Sequence, residues 1–255
     1  LKMVRKLKFQ FPEKWRASRL LKSASKVLVF AACFWLIRFF GFAPLTAAIF
    51  LFIVFIFVYS RQLEKQLFFK SHLVFWLSAY FVGQSEFILR PDVFIVFSVF
   101  LIILAYWLFG LGDLIFKNRG QIYRNLNTSL FFLVSVLFFA SDKSHYFFIK
   151  YFLASTAVFL LFFEVFSALR KEFPKREKIA ALALGLATVE FLWAISLLPL
   201  SFLSAAALLT LLVFLGRDTI DYYFQGRLSR TFLLSQGTIF IVLLVLILGT
   251  ARWTL

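Results

Sequence analysis

The sequence predicts an all-α protein, a polytopic transmembrane helical bundle, and three observations support that prediction. The chain has 255 residues, of which 62% are hydrophobic, and its mean hydropathy is +0.91. Soluble domains contain only about 45–50% apolar residues. Long apolar runs recur along the chain between short charged segments, as expected when about 17–25 residues make each membrane crossing. Lysine and arginine are concentrated in alternate segments, which is typical of a chain that crosses a membrane repeatedly.

Nine spans account for the apolar runs. They are predicted at residues 26–42, 44–60, 72–89, 92–111, 126–141, 146–169, 179–198, 200–216 and 231–251. Residues 26–255 are therefore expected to form a single transmembrane domain, which a basic segment at residues 1–25 precedes. Four of the spans (the first, second, fifth and eighth) are close to the lower length limit for crossing a bilayer.

The distribution of basic residues predicts the orientation of the chain. With the N-terminus inside and the C-terminus outside, 23 of the 28 lysines and arginines lie in inner segments. This excess is what the positive-inside rule describes, and a wrong number of spans would scramble it. The net charge of +16 is then mostly a signal of topology, so no nucleic-acid partner is expected.

Residues 1–25 are expected to form an amphipathic segment on the inner membrane surface. Pro12 and Glu13 suit the start of a helix. Trp15 and Leu21 can lie on lipid while the basic residues face anionic headgroups. A disordered basic anchor is the alternative. The basic stretch is longer than that of a signal peptide, so the segment is expected to stay uncleaved.

The sequence offers little for catalysis or metal binding. His72 and His145 belong to opposite membrane faces in the predicted topology, so they cannot share a metal ion. Cys33 is the one cysteine of the chain, which excludes an internal disulfide. The motifs of zinc proteases, serine hydrolases and phosphate-binding loops do not occur in the sequence. No catalytic residue, metal or cofactor is therefore expected.

Five polar residues within or beside the predicted spans are candidates for function or for locking helices together. They are Glu190, Arg38, Glu86, Gln84 and Glu164. Three of them, Arg38, Gln84 and Glu86, are expected near the outer ends of spans 1 and 3. Glu164 is expected near the inner end of span 6, and Glu190 lies nearest to the midplane. Ionisable residues at such depth are rare, and they are usually paired or functional.

The residues around Glu190 predict that its side chain points into the bundle. Small residues recur on the same helical face, at Ala183, Ala187 and Ala194. Such residues allow another helix backbone to come close. Arg38 is the expected counter-charge of Glu190, and Glu86 competes for it. Two interpretations stay open: a contact that locks helices together, or a proton- or substrate-linked group.

The last third of the chain carries a local resemblance. The stretches "VEFLWAISLLPLSF" and "GRDTIDYYFQGRLSR" contain Glu190 and Trp193, then Leu198-Pro199, then an aromatic-Gly-x-Leu pattern between Tyr223 and Leu228. Over residues 180–255 the chain resembles a group of uncharacterised multi-span membrane proteins from candidate-phyla-radiation bacteria. The resemblance implies a bacterial inner (plasma) membrane and no particular activity.

These observations favour a non-enzymatic integral membrane protein that scaffolds or anchors partners. Its expected partners are anionic lipid headgroups at a basic inner face, together with a protein on the inner side. A small transporter or lipid-handling protein that uses an intramembrane glutamate is the alternative, and an intramembrane enzyme is the third interpretation.

Overall fold

The computed structural model describes residues 13–40, 48, 49, 52, 68–84, 91–113, 115–141, 147–168 and 175–251. These residues form eight α-helices and confirm the predicted all-α class. The helices are α1 Glu13–Phe40, α2 Phe69–Gln84, α3 Pro91–Gly112, α4 Arg119–Ala140, α5 Phe147–Ala168, α6 Lys175–Ser196, α7 Phe202–Phe224 and α8 Arg230–Thr250.

Six of the helices, α3 to α8, are long and apolar enough to cross a membrane. Their qualifying segments have 19 to 23 residues, which fits the thickness of a hydrocarbon core at 1.5 Å per residue. Helix α2 has 16 residues and is therefore shorter than the usual spanning length. The predicted second span, 44–60, lies outside the described residues except at 48, 49 and 52. The count of nine spans and their orientation stay predictions.

Local sequence signals set several helix ends. Pro91 is the first residue of α3, where its missing N–H would have no helical partner in any case. Ser201 and Ser229 cap α7 and α8, since their hydroxyl oxygens accept hydrogen bonds from Ser204 N (3.4 Å) and Phe232 N (3.1 Å). Gly226 has φ = 66°, a left-handed conformation that glycine adopts without strain. It permits the tight turn between α7 and α8.

Three helix boundaries differ most from the predicted spans. Helix α1 continues without interruption from Glu13 to Phe40 over 28 residues, so the basic segment is helical from residue 13. How that segment lies on a membrane stays a prediction, and the side chain of Trp15 lies outside the described residues. Helix α4 begins at Arg119 rather than 126, and α7 continues to Phe224 rather than 216. Charged residues interrupt the apolar pattern at these two helix ends, and in the structure they make contacts between α4 and α7.

The helices pack around α4, to which α3, α5 and α7 are antiparallel and α2 is parallel. Helix α4 contacts α2, α3, α5 and α7, whereas α1 packs mainly against α3 and α2. Helix α6 packs against α5 and α7, and α8 packs against α7. The core contains large aromatic and aliphatic side chains that are fully buried, among them Phe30, Phe75, Leu104, Phe131 and Phe162.

Candidate functional site: a buried polar layer at one end of the bundle

Polar side chains concentrate where α2 and α4 begin and where α3, α5 and α7 end. We call this the polar end of the bundle. Its buried or half-buried polar residues include Ser23, Lys26, Ser71, Asp113, Tyr123, Asn127, Thr128, Glu164 and Arg217. Helix ends from distant parts of the sequence meet here because α3, α5 and α7 run in the direction opposite to that of α2 and α4.

Glu164 is the centre of this layer. Its side chain leaves α5 one turn before the helix ends and is only 2% exposed. Oε1 accepts a hydrogen bond from Lys70 N at 2.8 Å. Oε2 accepts one from Ser71 N at 2.8 Å, one from the Ser71 hydroxyl and one from the Tyr123 hydroxyl at 3.2 Å. Four donors from α2 and α4 therefore converge on one carboxylate of α5.

The carboxylate acts as an N-cap supplied by another helix. A helix begins with amide groups that have no partner within the helix, and the side chain at the N-cap usually accepts from the second or third residue. Phe68 occupies that position before α2, and its side chain has no acceptor. Glu164 accepts from Lys70 and Ser71, the second and third residues of α2. Its negative charge also complements the positive end of the helix dipole.

Asn127 extends the contact between α4 and α5 one turn deeper. The side chain is completely buried, and its Nδ2 donates to the backbone oxygen of Leu161 at 3.3 Å. Phe131 follows on the same face of α4 and packs on Phe162, with ring centroids 4.7 Å apart. The polar layer is therefore shallow, and it gives way within one turn to an aromatic core.

Lys26 and Asp113 form a buried ion pair between α1 and the end of α3. Lys26 Nζ lies 2.9 Å from Asp113 Oδ2 and 3.0 Å from Oδ1, and the Ser23 hydroxyl donates to Oδ2 at 2.7 Å. The side chains of Lys26 and Asp113 are 14% and 4% exposed. Breaking such a pair would strand a charge in a poor solvent for it, so the pair fixes α1 against α3.

Arg217 joins α7 to α4 in the same layer. Its guanidinium donates to Thr128 Oγ1 at 2.7 Å, to the backbone oxygen of Arg124 at 3.2 Å and to Asp218 Oδ1 at 3.0 Å. Arg124 in turn lies 3.4 Å from Asp221. The planar guanidinium thus bridges three acceptors on two helices, which is a use to which arginine is well suited.

The structure corrects the predicted orientation of Glu190. Its side chain is exposed, and so are those of Ala183 and Ala194. The buried face of α6 is the opposite one, formed by Glu177, Ala181, Gly185, Thr188, Leu192 and Ile195. Close helix approach occurs at Gly185, where an added Cβ would overlap the ring of Phe159 on α5. The alanines were therefore the wrong guide to the packed face.

The other predicted polar residues have different outcomes. Glu164 lies at the predicted end of its helix and holds three helices together. Glu86 and the side chains of Arg38 and Gln84 lie outside the described residues. The pairing of Arg38 with Glu190 thus stays a prediction, although α1 packs mainly against α2 and α3 while α6 packs against α5 and α7.

Sequence reasoning missed Lys26, Asp113, Tyr123, Asn127 and Arg217 as members of a site. Asp113 and Arg217 each follow directly after an apolar run, and that position was interpreted as the end of a span. The available signal was a charged residue directly at the end of an apolar run. Within the described part of the chain, no group of three histidine, cysteine, aspartate or glutamate residues could hold a metal ion.

Comparison with known proteins gives no relative from which a function could be transferred. No protein-family model, curated protein or solved structure matches the chain. The residues themselves must therefore support any functional proposal.

Proposed function

We propose that this chain is a non-enzymatic scaffold or anchoring subunit embedded in a bacterial inner membrane. It would cross that membrane nine times, with its N-terminus inside and its C-terminus outside. The polar end of the bundle would then be the inner face. Six long apolar helices support membrane embedding, and the excess of lysine and arginine in alternate segments supports the orientation.

The hydrogen bonds of Glu164 are the observation that carries the proposal. A group that exchanges protons or binds substrate needs an open position beside it. Both oxygens of Glu164 accept hydrogen bonds from α2 or α4, and four donors reach them. Arg217 and Asp113 are likewise engaged by side chains of the same bundle. Buried polar groups used in this way lock helices together, which suits a rigid support for other molecules.

The exposed surface around the polar end is basic. Lysines and arginines are exposed at Lys117, Arg119, Lys175, Arg176, Lys178, Arg227 and Arg230. Basic residues beside a membrane are attracted to anionic headgroups by about 1 kcal/mol each. The same surface would attract an acidic protein from the inner side. Lipid headgroups and a protein partner are therefore the ligands that we expect at this face.

One observation favours the alternative function, a lipid-handling protein. Glu190 is exposed on an otherwise apolar helix face, where a carboxylate can contact a lipid headgroup that enters the bilayer. The two functions differ in a measurable quantity, because lipid handling moves phospholipid between leaflets and scaffolding does not.

Crosslinking and lipid transfer together test the proposal. A photoreactive amino acid at Lys117 or at Lys175 should crosslink to a protein in native membranes. The matched position at the opposite end is Lys150, which should give far less product. Purified chain in liposomes should move no fluorescent phospholipid across the bilayer. Phospholipid movement that disappears in Glu190→Gln would refute the scaffold and establish the lipid-handling alternative.

A further inference from the structure

The outward side of α6 combines small residues with one carboxylate. We call it the Glu190 face, and it consists of Ala183, Leu186, Ala187, Glu190, Trp193 and Ala194. All are exposed except Ala187, which is half-buried. At 100° per residue they lie opposite the buried face that packs on α5 and α7. This side of α6 is therefore free of contacts from those two helices.

The depth of Glu190 makes its exposure costly in a membrane. Glu190 precedes the last residue of α6, Ser196, by six positions, or about 9 Å along the helix axis. Trp193 lies one turn nearer to that end and is 56% exposed, as tryptophans at a membrane interface are. Glu190 thus lies below the interface, where hydrocarbon is a poor solvent for a carboxylate. A covering partner with a polar group would remove this cost.

Lys150 is a cation of the described bundle near the end of α6, but its amino group contacts other residues. Lys150 lies at the same end of the bundle, where it donates to the backbone oxygen of Ser141 at 3.1 Å and lies 4.3 Å from the ring centroid of Phe138. A second copy that bound through the same face would add a second carboxylate and no cation, because the Glu190 face contains no lysine or arginine. Charge complementarity therefore favours a different protein.

We propose that the Glu190 face binds a transmembrane helix of another protein that carries a lysine or arginine at the depth of Glu190. The alanines at 183, 187 and 194 allow the two backbones to come close, so the cation reaches the carboxylate without a long extension of its side chain. The inference rests on the proposed scaffold function, for which it names an intramembrane partner in addition to the ligands of the basic face.

A synthetic helix can test this binding directly. The probe is a polyleucine peptide of about 21 residues with one lysine six residues from its outer end, which matches the position of Glu190 before Ser196. The full chain carries a donor dye at Leu198→Cys in a Cys33→Ser background, and the peptide carries an acceptor dye. Energy transfer in phosphatidylcholine liposomes, titrated against the peptide-to-lipid ratio, measures the affinity.

We expect the lysine peptide to bind about three- to tenfold more tightly than the all-leucine peptide, as one interhelical polar contact allows. Glu190→Gln should remove that difference. Ala187→Leu should weaken binding of both peptides. Gly237→Leu is the matched control on α8, where an added Cβ meets nothing within 4 Å, and it should leave binding unchanged. Equal affinities for the two peptides would overturn the proposal.

Two further outcomes would also overturn it. Energy transfer between two labelled copies without peptide, if it is lost in Glu190→Gln, would identify a second copy as the occupant. A lower unfolding midpoint of isolated Glu190→Gln would show that a segment of the same chain covers the face. Neither outcome affects crosslinking at Lys117 and Lys175, so failure of this inference is distinguishable from failure of the scaffold function.

Discussion

Replacing Glu164 by leucine removes the acceptor at the start of α2 while it keeps a similar side-chain volume. Ser71 N, the Ser71 hydroxyl and the Tyr123 hydroxyl then lose the acceptor that they share. Ser71 and Tyr123 are 0% and 1% exposed, so water cannot readily replace the carboxylate. One buried donor left unsatisfied costs about 1–3 kcal/mol, whereas removal of the carboxylate also removes the cost of burying its charge. We expect Glu164→Leu to lower the free energy of unfolding by about 3 kcal/mol.

A smaller change at the same site gives a reference against which the loss of stability in Glu164→Leu can be compared. Tyr123→Phe removes the longest of the four hydrogen bonds, 3.2 Å, and leaves the other three in place. It should cost about 1 kcal/mol. The matched control is Tyr223→Phe, since Tyr223 is 65% exposed and should tolerate the change without measurable loss.

Reversible unfolding in mixed micelles, followed by far-ultraviolet circular dichroism, measures these differences. Amide hydrogen exchange adds a local measurement, since the amides of Lys70 and Ser71 should exchange faster in Glu164→Leu than those in the middle of α4. A loss below about 1 kcal/mol for Glu164→Leu would refute the assignment of Glu164 as the cap of α2. Unchanged exchange at those two amides would refute it as well.

Three other changes test separate parts of the structure. Reporter fusions at Lys175 should read inner and those at Thr254 outer, and an outer signal at Lys175 would exclude the predicted orientation. Gly185→Ala should lower the free energy of unfolding by about 1–3 kcal/mol because its methyl group meets Phe159. Gly237→Ala places its methyl group in open space and should raise the free energy of unfolding by up to about 1 kcal/mol. If both glycine variants changed the free energy of unfolding equally, the close contact between α5 and α6 at Gly185 would be contradicted. Asp113→Asn should cost about 3 kcal/mol in the same unfolding measurement because Lys26 loses its counter-charge, and no loss would contradict the buried pair.

The sequence predicted the positions of the six long apolar helices, α3 to α8, because their apolar runs are long. It placed the ends of α4 and α7 poorly, since Arg124 and Arg217 resemble residues that leave a membrane. In the structure those arginines contact Asp221 and Thr128 on the facing helix. Such pairing depends on which helices are neighbours, and periodicity along one chain contains no information about that.

The orientation of Glu190 failed for a related reason. In a soluble helix the polar side marks the solvent, so an apolar stripe identifies the packed face. A membrane helix has apolar residues on both sides, because lipid and protein interior are equally apolar. Both the alanine stripe and the face that contains Gly185 have small residues that would allow close helix packing. Only the positions of α5 and α7 show that the Gly185 face is the packed one. The Lys26–Asp113 pair could not be predicted from local sequence patterns either, because its two residues are 87 positions apart.

Helix α8 has no buried residue and meets the bundle along α7, with Tyr222 stacked on Phe232 at a centroid distance of 3.9 Å near the connecting turn. A helix held along one seam and pinned at one end by an aromatic pair can swing in the plane of the bilayer. Helix α4, which contacts four other helices, has no such freedom. We therefore expect lateral motion within the described bundle to be concentrated in α8, with the α7–α8 turn as the pivot.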